Sequence, residues 1–99
     1  MTLQLLDRAR DDLIEGFHFY EDKEAGLGGY FLVNLYSDIE SLSLFGGIHH
    51  KAYLGFHRAL SKRFPFAIYY TIDGDLLRIR AVVDCRKKPL WIRQHLKSA

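Results

Sequence analysis

The 99-residue sequence holds one cysteine, Cys85, so no disulfide can form within it and nothing points to an oxidising compartment. It has only two prolines and no low-complexity tract, internal repeat or linker that would divide it, which leaves room for one domain spanning residues 1–99. No apolar run approaches the roughly 20 residues of a membrane span. The opening MTLQLLDRARDDL lacks the basic-then-apolar order of a secretory leader, so the expected location is the cytosol. Positive charge is in small excess, net +2, so only the arrangement of the cations can speak for a polyanionic partner.

What is present divides by period. Leu3, Leu5 and Leu6 read as an edge strand or as the lead-in to a helix. From Asp7 the apolar residues Ala9, Leu13, Phe17 and Tyr20 recur at helical spacing with Ile14 beside them, and Asp7, Asp11, Asp12 and Glu15 are assigned to the wet face. AGLGG at 25–29 breaks the chain, and a second helical stripe (Phe31, Leu35, Ile39, Leu42) runs over 30–45, giving an antiparallel helical hairpin. IHHKAYLG reads as a loop with a short extended piece.

Strand periodicity takes over after that, at 56–62, 66–72 and 76–83. With Asp73 and Gly74 as the two loop residues of a tight turn, Tyr70 faces Leu77, Ile68 faces Ile79 and Phe66 faces Ala81 on an apolar side. Tyr69 then faces Arg78 and Ala67 faces Arg80 on the other. Parity extended past the strand aims Arg86 the same way, and Arg58 and Lys62 can join from the preceding strand. Pro89 suits the first turn of a C-terminal helix whose apolar contacts are Trp91, Ile92 and Leu96.

Together the strand, helical hairpin and strand meander, with RFPFAIYY at 63–70 and VVDCRKKP at 82–89, resemble the RelE/ParE superfamily of toxins from bacterial type II toxin–antitoxin systems. The resemblance implies an α+β fold: an N-terminal strand and helical hairpin packed on an antiparallel β-sheet meander, with a short C-terminal helix. It also implies a cognate antitoxin as partner and either DNA gyrase or the ribosome with its mRNA as target, with no cofactor. RelE-like members cleave mRNA with basic residues on the exposed sheet face, helped in several cases by a Tyr, His or Glu. ParE-like members keep the scaffold and poison gyrase. KKPLWIRQHL has no tyrosine and RFPFAIYY no basic residue after Arg63, which tilts the reading to the ParE side and leaves no catalytic residue assigned.

The candidate target-binding set is Arg58, Lys62, Tyr69, Arg78, Arg80, Arg86 and Lys87, chosen because guanidinium stays charged and grips phosphate or carboxylate with paired hydrogen bonds. Against it stands an ordinary solvated sheet face, and against a toxin stands an inert antitoxin-binding module. His57 is the candidate proton-transfer group of the cleaving alternative. His49-His50 has too few partners for a metal site, Cys85 reads as a small filler, and Trp91 reads as a core plug.

Overall fold

The computed structural model describes residues 1–46 and 51–99, with 51–53 described by backbone alone. The order is β1 (Thr2–Leu5), α1 (Asp7–Lys23), α2 (Leu27–Phe45), β2 (Lys51–Tyr53), β3 (Phe56–Leu60), β4 (Phe66–Asp73), β5 (Leu76–Asp84) and α3 (Pro89–Lys97). One five-stranded sheet in the order β1-β5-β4-β3-β2 carries the helical hairpin on one face. β1 pairs parallel to β5 at the edge and the other pairings are antiparallel. Of the two readings of the first residues, the edge strand is the one formed. The His49-His50 pair lies outside the described residues.

The hairpin of α1 and α2 closes where backbone can approach backbone. Gly26 sits in the left-handed region at φ 90° and starts α2 three residues earlier than the apolar stripe alone suggests. The Glu21 carboxylate of α1 accepts hydrogen bonds from the Gly26 and Gly28 N–H groups at 3.0–3.1 Å, satisfying donors that the first turn of α2 leaves unpaired. A Cβ at Gly28 would lie 2.6 Å from the Phe17 carbonyl oxygen and 2.9 Å from the Glu21 Cβ, whereas one at Gly29 would meet open space. Because a backbone oxygen cannot swing aside, Gly28→Ala is expected to cost about 3 kcal/mol by overpacking. Gly29→Ala on the same helix should be neutral or stabilising by up to about 1 kcal/mol. Urea unfolding of the two variants checks the contrast.

Tyr20, Phe31, Phe64 and Phe66 bring their rings together between hairpin and sheet, with centroids 4.9–5.1 Å apart for the closest pairs. Phe66, Ile68 and Tyr70 of β4 point into this core, as the alternation requires, with Ile72 packed against its edge. Ile14, read as lying beside the α1 stripe, is exposed.

The β4–β5 register departs from the expected one in two ways. The loop residues are Gly74 and Asp75, so Asp73 pairs with Leu76, Ile72 with Leu77, Thr71 with Arg78 and Tyr70 with Ile79. Of these two, Gly74 alone has positive φ, 61°. A turn with glycine first needs only that one left-handed residue, whereas an Asp73-Gly74 loop of the primed type I class would need two. The two-residue shift keeps every side chain on its expected face. The second departure does not: Tyr69 pairs with Ala81, so Arg80 is the extra residue of a bulge. Beyond it parity inverts, Val82 joins the helix-side core, and Ala81 and Val83 turn to the outer face.

That outer face is not bare. Leu96 of α3, 1% exposed, packs with Ala67, Tyr69, Ala81 and Val83 to form a second, smaller core, with Ile92 and Cys85 at its margin. Proline occupies the first turn of α3, as the sequence indicates. No described helix is long and apolar enough to cross a membrane.

Candidate functional site

The structure brings four of the seven proposed target-binding residues to the outer face. Arg58 of β3 lies opposite Tyr69 of β4, and its Nε donates to the tyrosine hydroxyl at 3.2 Å while Nη2 approaches the Cys85 Sγ at 3.8 Å. Tyr69 itself is buried; its ring belongs to the small core under α3 and its hydroxyl orients the arginine. Arg80, thrown out by the bulge, donates from Nε to Thr71 Oγ1 at 3.0 Å. Arg78 donates from Nε to Gln4 Oε1 of β1 at 3.1 Å and lies 3.6 Å from an Asp73 carboxylate oxygen.

These arginines differ in what remains of their charge. Among the described residues, the partners of Arg58 and Arg80 are uncharged, a phenol and a hydroxyl (beside the Cys85 thiol for Arg58), which fix the guanidinium through Nε and leave its positive charge uncompensated. Arg78 is offset in part by Asp73. Two guanidinium groups so fixed on a rigid sheet can receive phosphate or carboxylate oxygens without first breaking an ion pair.

The other three residues are elsewhere, each for a physical reason. Arg86 was expected beside Arg78 and Arg80 by extrapolated parity, but the bulge inverts that parity. Instead it folds back on Asp84, donating from Nε and Nη2 at 2.9 and 2.7 Å, with its own backbone N–H on the same carboxylate at 2.8 Å. The hydrogen bonds from Arg86 hold the Asp84 carboxyl below the usual range and make Arg86 harder still to deprotonate. Burial pushes the nearby Tyr20 phenol up, opposed by the charge of Arg86. Lys87 places its Nζ 4.8 Å above the Trp91 ring. The Lys62 backbone N–H caps Asp38 of α2 at 3.3 Å, and Lys62 lines a groove with Leu42 and Phe45 on the helix side.

His57 pairs with Tyr70 and stacks on its ring at 5.0 Å, on the face opposite Arg58. Of the other described histidines, His18 lies on α1 and His95 of α3 is paired with Asp12. The groups on that face hold charge and donate hydrogen bonds; arginine does not exchange protons near neutral pH.

Sequence reasoning missed one pair. Asp12, assigned to the wet face of α1, is only 8% exposed. Its Oδ2 accepts the Val82 backbone N–H at 2.9 Å, and its Oδ1 lies 2.8 Å from His95 Nε2. Burial raises its pKa, opposed by the Val82 hydrogen bond and by His95. The available signal was position: Asp12 lies on the helical side defined by Ala9, Leu13 and Gly16. Trp91, expected as a core plug, is 39% exposed and stacks on His95 at 4.6 Å with 13° between planes. A cleft of about 130 Å³ lies between α1, β5 and α3, with Asp12, Phe19, Asp84, Lys87 and Trp91 in its walls.

No protein-family model matches the chain, and no curated protein does. Among solved structures, a chain from the chromosomal ParDE TA system from P. aeruginosa superposes with a TM-score of 0.76, covering 85% of this chain and 95% of that one at 16% sequence identity. The chain therefore shares the fold of that ParDE-system chain; at this identity the likeness carries architecture and not activity.

Proposed function

We propose that the chain is the toxin of a type II toxin–antitoxin system, ParE-like in action, which arrests growth in the cytoplasm by engaging DNA gyrase and is silenced by a cognate antitoxin. The observation that carries this reading is the superposition on nearly the whole of a chain from a ParDE system. The outer face supports it. Arg58 and Arg80 form a fixed cationic surface, an arrangement suited to gripping a target.

A second reading, ribosome-dependent mRNA cleavage of the RelE kind, draws on those same two guanidinium groups, which suit phosphate and transition-state charge equally well. Expression separates the readings. Induced alone, the gene should stop growth, and co-expression of a cognate antitoxin should restore it. Gyrase poisoning predicts an SOS response and stabilised DNA breaks first; mRNA cleavage predicts loss of protein synthesis while DNA stays intact. Unaffected growth with soluble, folded protein would leave only an inert antitoxin-binding module.

A further inference from the structure

We propose that the outer side of the molecule, the solvent face of α3 together with Arg58 and Arg80, binds the phosphate backbone of duplex DNA, so that the toxin meets gyrase with its DNA in place. The inference rests on the gyrase reading for its biological meaning, and its test is independent of that reading.

The net charge is small in sum and strongly divided along the chain. Residues 1–45, which hold the helical hairpin, carry nine of the twelve acidic side chains and three of the fourteen lysines and arginines; residues 46–99 carry eleven of those cations against three acids. The hairpin lies on one face of the sheet and α3 on the other, so the division becomes an acidic side and a basic side. Two of the three acids in the basic part are already matched, Asp84 by Arg86 and Asp73 by Arg78. Such a separation turns the basic side toward a polyanion before contact and keeps the hairpin away from it.

The excess is concentrated on α3. From Cys85 to Ala99 there are five cations and no acid. Lys88, Arg93 and Lys97 are exposed, and among the described residues no carboxylate pairs with them. Arg93 and Lys97 stand about one turn apart, as neighbours on the helix surface. Helix stability does not account for the set. Lys97 in the last turn suits the macrodipole, but Lys88 stands at the other end, where the first turn has no acid and a cation opposes the dipole. The helix also lies beside the two uncompensated arginines of the sheet: Leu96 packs on Tyr69 and Ala81, Tyr69 pairs with Arg58 across the ladder, and Arg80 precedes Ala81.

The aromatic rings of this side decide the kind of nucleic acid. Single strands are held by bases stacked on open rings. Trp91, the exposed ring of α3, is already stacked on His95 at 4.6 Å and has Lys87 Nζ 4.8 Å from its centroid, while Tyr69 is buried. Fixed cations without an open stacking platform suit the phosphate rows of a duplex and read no sequence.

Fluorescence anisotropy of the purified full-length protein with a short labelled DNA duplex of arbitrary sequence tests the inference. Binding should be micromolar at low salt, and log K should fall against log salt with a slope of about −4, as counterion release by roughly four to five phosphate contacts requires. Arg93→Gln/Lys97→Gln should make that slope shallower by about 2 and weaken binding at least ~10-fold. Arg10→Gln/Lys23→Gln, which removes the same charge from the hairpin, should bind like the wild type, with circular dichroism confirming the fold of both variants. No binding at low salt, an equal loss in the two variants, or tighter binding of single-stranded DNA or RNA overturns the proposal. Growth arrest with stabilised DNA breaks, but without DNA binding by the protein, would refute this inference and leave the gyrase reading standing; DNA binding without arrest would do the reverse.

Discussion

Replacing Asp12 by alanine should cost about 3–5 kcal/mol of folding stability, a large part of the 5–15 kcal/mol that keeps a domain of this size folded. Two buried groups lose their partner at once. The Val82 N–H lies on the β5 edge beyond the reach of β1, where no described strand supplies an acceptor, and the His95 imidazole is enclosed between α3 and α1. An unpaired buried donor costs its full desolvation, and here there are two. Asparagine should be tolerated far better, at about 1 kcal/mol, because its oxygen still accepts from Val82 and its amide can donate to the imidazole. Chemical denaturation of Asp12→Ala and Asp12→Asn reads the difference. His95→Ala, which leaves Asp12 on Val82, should fall between them.

Much of the architecture was legible because it is written in period. Ala9, Leu13 and Tyr20 in α1, and Phe31, Leu35, Ile39 and Leu42 in α2, repeat at helical spacing and are buried where that spacing puts them. The strands were legible for the same reason. The β5 bulge was not: Ala81, Val82 and Val83 are all apolar, so alternation is silent over the residues where parity inverts. That silence misplaced Arg86, whose local attraction to Asp84 leaves no mark in a hydrophobicity pattern. Asp12 was misassigned because a charged residue on an otherwise apolar helical face counts as polar until its partners are known, and His95 is 83 positions away. The arginine face was half legible: Arg58, Tyr69, Arg78 and Arg80 share a side, yet which of them keep an uncompensated charge depends on Asp73 and on hydroxyls that only the fold brings near.

On the proposed function, that distinction ranks the arginines. Arg58 and Arg80 present charge oriented by neutral partners, so a bound anion gains the full charge-assisted interaction; Arg86 must first leave a bidentate carboxylate. Removing both Arg58 and Arg80 forfeits about 1.5–3 kcal/mol apiece, enough to weaken target binding at least ~100-fold. Stability should change little on the Arg80 side, since Thr71 can turn its hydroxyl to water. It should change modestly on the Arg58 side, where the Tyr69 hydroxyl loses a donor. Arg86→Ala serves as the comparison, expected to leave growth arrest nearly intact because its charge is already spent on Asp84.

The direct measurement is colony formation after induction of Arg58→Ala/Arg80→Ala without antitoxin, with circular dichroism of the purified variant confirming its fold. Recovery of growth by the double variant, alongside continued arrest by Arg86→Ala, is the predicted result. Undiminished arrest by a folded Arg58→Ala/Arg80→Ala protein would contradict the assignment of the outer sheet face as the surface that meets the target.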